Sequence, residues 1–239
     1  ELSSSTQTDL NDTNFSLLHV NCRGLYTNFQ NLNALLDSLT FSIPVIAITE
    51  TRTNVENENN YGIPDYNFLV KSRSHKTGGG VGLYILNHIA FKMRDDLILD
   101  LPDVFESIFI ELVSPNIIVG CVYRPPNSDL TLFNGIFDTL LSKINSGKQR
   151  CYIAGDFNIN LLKYEQHDAT ANYVNCIFSH SFFPCINRPT RITTSSATLI
   201  DNIITNACFE QTIIPAIIYS DISDHLPVFV QVSLTCVKQ

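Results

Sequence analysis

The chain contains no tryptophan, a single methionine and no Cys-X-X-Cys pair, and only 16% of its 239 residues are charged. No apolar run reaches the roughly 18 residues that span a bilayer, and Phe15 to Val20 is too short for a signal-peptide core, so no membrane partner is expected. The seven cysteines are odd in number and scattered, four of them in apolar surroundings. That fits reduced, buried thiols better than disulfides or zinc, and points to a cytosolic or nuclear protein that is not secreted. Asn11-Asp12-Thr13 and Asn14-Phe15-Ser16 match a glycosylation pattern. Beside a polar leader, and with that cysteine pattern, they are read as chance. No internal repeat or low-complexity tract is visible, which removes a solenoid.

Positive charge is also scarce: 15 basic residues face 23 acidic ones, for a formal charge of −8. At face value this argues against a nucleic-acid partner. A site that gathers carboxylates around a cation produces the same balance, however, so the overall sign says little about a groove. The basic residues able to touch phosphate fall in two clusters, Lys71, Arg73, His75 and Lys76 in one and Arg188 and Arg191 in the other. Solvated loops are the alternative reading of both.

What is present is interior. With 44% hydrophobic residues, the chain can bury a full two-layer core in one domain over residues 15–239, after a polar leader or linker over 1–14. Strand patterns occur at Phe15 to Val20, Pro44 to Thr49, Gly80 to Leu86, Phe105 to Leu112, Ile117 to Tyr123 and Cys151 to Ala154. They recur at Leu199 to Thr205, Ile213 to Ile218 and Leu226 to Val232. Most are too apolar to leave one face in water. Helical stripes are expected over Asn28 to Leu39, over Leu130 to Ile144 behind an Asp129 or Ser128 cap, and over Asp168 to Ser179. The expectation is an α/β fold with sheets packed on one another and helices outside.

Chemistry enters where these runs end. Gly155-Asp156-Phe157-Asn158 follows a buried run, and Ser223-Asp224-His225-Leu226-Pro227 precedes another. An acidic residue leaving a strand, with an amide two positions on, can activate and hold a water, and an Asp-His pair can grip a phosphate. Taken singly, the first is also a good turn and the second a strand cap. Asn21, Glu50, Tyr123 and Asp201 stand at the ends of, or interrupt, other apolar strands in the same way. One such residue is an ordinary strand end, but six of matching kind converge on one rim and outline a phosphodiesterase site.

The ordered set Asn21, Glu50, Tyr123, Asp156, Asn158, Asp201 and Ser223-Asp224-His225 resembles the exonuclease-endonuclease-phosphatase superfamily over about residues 15–233. Within it Thr49-Glu50-Thr51, Gly78-Gly79-Gly80-Val81-Gly82-Leu83-Tyr84, Val122-Tyr123-Arg124-Pro125-Pro126, Arg188-Pro189-Thr190-Arg191 and Leu199-Ile200-Asp201-Asn202-Ile203 are similar to endonuclease domains of non-LTR retrotransposons of the CR1, L2 and jockey-like branches. The resemblance implies a DNase I-like four-layer α/β sandwich, two stacked mixed β-sheets flanked by helices, with the site at one end. It implies Glu50, assisted by Asn21 and Asp224, as ligands of Mg²⁺, for which Mn²⁺ can substitute. Asp156 would deprotonate water, Asn158 would position it, His225 paired with Asp201 would hold a non-bridging oxygen, and Tyr123 would donate to the phosphate. Ser223 and Thr190 would support them. Arg124, Arg191, Thr193, Thr194, Ser195, Ser196, Lys71, Arg73 and Lys76 would face duplex DNA, the hydroxyl-rich run as a hairpin that reads groove shape.

The activity so implied is nicking of one strand to leave a 3′-hydroxyl primer for reverse transcription. The monomeric domain would sit in a polyprotein with a reverse transcriptase and the element RNA, made in the cytoplasm and acting in the nucleus. Lack of tryptophan disfavours the inositol phosphatases, and the cysteine pattern disfavours secreted DNase I. An abasic-site endonuclease and a silent nucleic-acid-binding module remain as alternatives.

Overall fold

The computed structural model describes residues 14–73 and 78–234. Its strands in chain order are β1 (Asn14–Asn21), β2 (Val45–Thr49), β3 (Tyr66–Lys71), β4 (Val81–Leu86), β5 (Phe91–Met93), β6 (Glu106–Leu112) and β7 (Ile117–Tyr123). There follow β8 (Arg150–Asp156), β9 (Phe183–Pro184), β10 (Arg191–Ile192), β11 (Ala197–Thr198), β12 (Asp201–Thr205), β13 (Thr212–Ile217) and β14 (Val228–Ser233). Three α-helices interrupt them: α1 (Leu25–Ser38), α2 (Leu130–Ser146) and α3 (Asp168–Ser179). No described helix is long and apolar enough to cross a membrane.

Two six-stranded sheets, ordered β13-β14-β1-β2-β4-β3 and β5-β6-β7-β8-β12-β9, lie face to face, and β10 and β11 form a separate hairpin. Both sheets are mixed, because β1 with β2 and β7 with β8 run parallel while the remaining pairs are antiparallel. Helix α1 covers the outer face of the first sheet through Leu25, Leu32 and Leu35, against Leu18, Val20, Ile46 and Ile48. Helices α2 and α3 cover the second through Phe133, Phe137, Leu140, Tyr173 and Ile177. Each central strand is therefore buried on both faces, which is why its sequence reads as a continuous apolar run. The four-layer arrangement expected from the sequence is the one observed.

Every expected strand and helix has a counterpart; β7 and α3 have the expected bounds, and the ends of the others shift. Helix α1 begins three residues before Asn28, because Gly24 (φ 105°) turns the chain into it without a side-chain cap to mark the start. Asp129 does cap α2, accepting from the amides of Thr131 and Leu132. Within the expected stripe of α2, Leu132 is 51% exposed, one residue off the row formed by Phe133, Phe137, Leu140 and Ile144. Strand β8 runs two residues past Ala154, since Gly-Asp ends the apolar pattern but not the pairing. Edge strand β3, the short β5 and two-residue β9 lack a full apolar run and carry no strand signal, whereas β10 and β11 form the hairpin expected around the hydroxyl-rich run.

Two-residue periodicity then explains where the polar groups go. Phe15 and Leu17 of β1, Val45 and Ala47 of β2, Val119 and Cys121 of β7, Tyr152 and Ala154 of β8 and Ile203 of β12 all face the layer between the sheets. Continuing each row to the strand end brings Asn21, Thr49, Tyr123, Asp156 and Asp201 onto the same inner face. Gly155 keeps β8 close to β7 there: a Cβ at this position would stand 1.9 Å from the Val122 carbonyl oxygen. Gly155→Ala is expected to lower the unfolding free energy by roughly 2–3 kcal/mol in urea titration. A change under about 0.5 kcal/mol would contradict this packing.

Candidate active site

Strand register assembles the site. Asp156 at the end of β8 lies opposite Tyr123 of β7 on one side and Asp201 of β12 on the other. In the facing sheet Asn21 ends β1 opposite Thr49, and Glu50 is the next residue. Ser223 to His225 arrive from the connection into β14. An isolated bridge between His225 and Arg191 ties that connection to the β10–β11 hairpin.

Asp156 is fully buried and its carboxylate is held from three sides. Oδ2 accepts from Asn21 Nδ2 at 2.9 Å and Asn158 Nδ2 at 3.1 Å, and Oδ1 accepts from the Asn158 amide at 3.0 Å. Asn21 Nδ2 also donates to Glu50 Oε1 at 3.1 Å, so one amide joins two carboxylates. Asp201, also fully buried, accepts from Thr190 Oγ1 at 2.8 Å and stands 2.9 Å from His225 Nδ1. The same Nδ1 is 3.9 Å from Asp156 Oδ2. A carboxylate can only accept, so the proton is on Nδ1 and Nε2 is the ring's remaining corner. Ser223 Oγ completes the frame, donating to the Asn21 carbonyl at 3.0 Å and accepting the His225 amide at 3.1 Å.

The charges follow from this geometry. Burial and the neighbouring Asp201 carboxylate push the Asp156 carboxyl well above the ordinary aspartate range. Burial works against a charged His225, but the Asp201 carboxylate and its hydrogen bond, with Asp156 and Asp224 behind them, outweigh it and raise the imidazole to about 9. His19, on the inner row of β1, behaves oppositely: buried, with Nε2 3.0 Å from Thr49 Oγ1, it is lowered to about 4 and stays neutral. Burial also pushes the Tyr123 hydroxyl upward, reinforced by Glu50 and Asp156, so it remains a donor.

A cavity of about 330 Å³ opens over these groups and is lined by Glu50, Tyr123, Asn158, Asp224 and His225 together with Arg23, Arg52, Arg73 and Arg191. Each arginine is latched to a carboxylate. Arg52 meets Glu50 at 2.5 Å, Arg23 and Arg191 take the two oxygens of Asp224 at 2.6 and 2.7 Å, and Arg73 Nε meets Glu106 at 2.5 Å. Arg23, Arg52, Glu106 and His19 were not singled out in the sequence, although Arg23 and Arg52 each stand two residues after a candidate. Their backbone adds a signal that the sequence cannot carry. Arg23, Glu50, Arg52 and Asn158 all have left-handed φ between 44° and 51°, which costs a non-glycine residue energy and marks positions that the fold holds in place.

Asn21, Glu50, Tyr123, Asp156, Asn158, Asp201, Thr190, Ser223 and His225 thus come together, and the expectation for Arg124 is corrected. Arg124 is only 5% exposed: it donates to the carbonyls of Asn158 at 3.0 Å and Ser128 at 2.7 Å, so it braces the loop after β8 and cannot face DNA. Lys71 pairs with Asp100 and does not line the cavity. Asp224, expected to assist a cation, has both oxygens on arginines, which hold its carboxyl below the ordinary range despite burial. Arg73 lies 5.9 Å over the Tyr123 ring. Thr194, Ser195 and Ser196 are exposed at the hairpin tip, where Thr193 Oγ1 meets Ser196 Oγ at 2.9 Å. His75 and Lys76 lie outside the described residues.

The donor set suits a hard divalent cation. Glu50 offers its carboxylate at the cavity, where it already attracts the guanidinium of Arg52, and the Asn21 amide behind it joins Glu50 to Asp156. The nearest thiol on that element, Cys22, is turned away toward the Val20 carbonyl. Asp156, Asp201 and His225 also present ligand atoms within 4.8 Å of one another. Because His225 Nδ1 carries a proton toward Asp201, that trio is a proton-bearing array and not a ligand cage.

The Endonuclease/Exonuclease/phosphatase family profile matches residues 18–225. No curated protein matches the sequence. Among solved structures, the endonuclease domain of TRAS1, a telomere-specific non-LTR retrotransposon, superposes with a TM-score of 0.70 at 14% identity, covering 92% of this chain and 99% of that one. The AP endonuclease LMAP from Leishmania major gives 0.70 at 14% identity over 98% of this chain and 92% of its own. An AP endonuclease from Archaeoglobus fulgidus gives 0.66 at 13% identity, over 90% and 98%. At such identities these likenesses establish the fold.

The raised His225 also makes a stability prediction for cation-free protein. Its folded pKa of about 9 exceeds the ordinary 6.5, so its contribution is complete below pH 6.5 and is lost as pH rises through 9. In chelator, thermal or urea unfolding of the wild type should lose on the order of 2–3 kcal/mol between pH 6.5 and 9.5. His225→Asn should flatten that decline. Equal slopes in both proteins would contradict the Asp201–His225 assignment.

Proposed function

The chain belongs to the Endonuclease/Exonuclease/phosphatase family, and from that premise we propose that it is a divalent-cation-dependent DNA endonuclease that nicks one strand of a duplex. One observation carries this reading: the buried array of Asp156, His225 and Asp201 sits beneath a cavity with a carboxylate for a cation on one side and arginines around its rim. In-line hydrolysis of a phosphodiester needs a base for water, positive charge at the non-bridging oxygens and relief of charge on the leaving oxygen.

Each requirement has a residue. Asp156, its carboxyl held above the ordinary aspartate range by burial and Asp201, accepts the proton of the attacking water, while Asn158 and Asn21 fix the carboxylate and hence the direction of attack. His225, protonated at working pH and steered by Asp201 and Thr190, donates from Nε2 to a non-bridging oxygen. Tyr123 donates to the same phosphate. Glu50, assisted by Asn21, would hold Mg²⁺ or Mn²⁺, which would supply charge neutralisation at the phosphate and leaving oxygen. The bond broken is on the 3′-oxygen side, leaving a 3′-hydroxyl and a 5′-phosphate.

Within the family we assign the chain to the endonucleases of non-LTR retrotransposons. Tyr123-Arg124-Pro125-Pro126 and the blocks around Thr190 and Asp201 support that, as does the near-complete mutual coverage with the TRAS1 domain. The exposed hairpin tip, Thr193 to Ser196, stands beside Arg191 at the cavity and would meet the duplex. Under this reading the nick primes a reverse transcriptase carried with the element RNA at nuclear target DNA. The equal TM-score of the Leishmania AP endonuclease keeps abasic-site cleavage as the second reading, and an abasic duplex separates the two. Wild type should nick supercoiled plasmid with Mg²⁺, not with chelator, and a DNA polymerase should extend the nick. Asp156→Asn should slow nicking by about 10²–10⁴-fold. Nicking that persists in the variant would overturn the mechanism, and cleavage confined to abasic duplex would select the repair reading.

A further inference from the structure

The Arg23–Asp224–Arg191 bridge has no part in the hydrolytic scheme, yet it is among the most completely built features of the cavity. Arg23 Nη1 takes Asp224 Oδ1 at 2.6 Å and Arg191 Nε takes Oδ2 at 2.7 Å, so one carboxylate orients two guanidinium groups. Two cations on one anion leave a net positive charge, and each guanidinium uses one N–H there and keeps the rest of its donors. The arginine side chains are 48% and 40% exposed while the Asp224 side chain is 22% exposed, so the anion is the inner member and the cations are the outer ones. All three line the cavity that holds His225 and Glu50.

The backbone is arranged for the same end. Arg23 adopts a left-handed φ of 44° directly after Asn21 and Cys22, and Gly24 follows at 105°. Arg191 opens the β10–β11 hairpin, and the amide of its neighbour Ile192 donates to the Asp224 carbonyl at 3.2 Å. Asp224 therefore joins the loop after β1 to the hairpin through both its side chain and its backbone. Asp224 is balanced by two guanidinium groups, whereas Glu50 meets one guanidinium and the neutral amide of Asn21, so Glu50 keeps the stronger pull on a divalent cation.

We propose that Arg23 and Arg191, anchored by Asp224, form a second phosphate station that grips a backbone phosphate of the DNA next to the scissile one, and that Asp224 serves as this anchor and not as a cation ligand. The proposal rests on the DNA-endonuclease reading. The ligand is a phosphodiester oxygen pair, which a guanidinium fork matches in shape and charge. Contact is with the backbone only, so it positions the duplex and carries no base preference. It also explains how a chain of formal charge −8 can hold a polyanion: the acid is spent on orienting the bases that face outward.

The test uses an intact duplex in chelator, where nothing is cleaved, with affinity followed by fluorescence anisotropy across a potassium chloride series. Arg23→Gln and Arg191→Gln should each weaken binding by a similar factor on unrelated sequences and lower the log–log salt slope by about one. Separately, Asp224→Asn should bind Mn²⁺, measured by calorimetry on the DNA-free protein, within about twofold of wild type, whereas a lost ligand costs about 10-fold or more. Unchanged salt slopes in both arginine variants, with wild type binding normally, would overturn the station. A tenfold loss of Mn²⁺ affinity in Asp224→Asn would overturn the anchor. If wild type binds no duplex, the DNA-endonuclease reading fails, and this proposal with it.

Discussion

Two fully buried aspartates, Asp156 and Asp201, face each other as paired residues of adjacent strands. Like charges placed so close cannot both ionise in a dry interior without a cation between or beside them. His225 meets that need: its Nδ1 lies 2.9 Å from Asp201 and 3.9 Å from Asp156. The donors Asn21, Asn158 and Thr190 saturate the remaining oxygens. The arrangement forces the connection into β14 across the open end of both sheets, and Ser223 and the Arg191 bridge hold it there. Removing His225 would leave an uncompensated pair of acids, which makes the imidazole structural and chemical at once.

The electrostatics of the whole chain and of the site have opposite senses. The acids outnumber the bases, but around the cavity Asp224, Glu50 and Glu106 are each engaged by arginine and serve to aim it. The exposed pairs on Asp224 and Glu50 contribute little to stability, so their value lies in orientation. Arg52 on Glu50 shows the same principle at the cation position, where a guanidinium balances the carboxylate. Net charge thus says little about the charge around the cavity, which the placement of charged residues at strand ends sets.

The layers and most of the site were legible because both follow from two-residue periodicity. Runs such as Ile117 to Tyr123 and Cys151 to Ala154 are apolar on both faces, which requires a sandwich with outer helices. A polar residue closing such a run must lie at a sheet end, and Asn21, Tyr123, Asp156 and Asp201 do. What stayed hidden depends on contacts between distant segments. Arg124 looks like a free cation in a loop, and only the fold reveals the carbonyls of Asn158 and Ser128 around it. Asp224 reads as a lone acid until Arg23, some two hundred positions earlier in the chain, is brought to it. Left-handed φ at Arg23, Glu50 and Arg52 has no residue-type signature, since glycine would be the usual choice there.

The most direct test of the account is cleavage of a defined duplex in ¹⁸O-labelled water under single-turnover conditions, with mass analysis of both new ends. Attack by a water that Asp156 deprotonates, with the 3′-oxygen leaving, puts one ¹⁸O in the 5′-phosphate and none at the 3′-hydroxyl. Label in a 3′-phosphate, or a product free of label, would show that a different bond is broken or a different nucleophile attacks, and would contradict the assignment of Asp156 and His225.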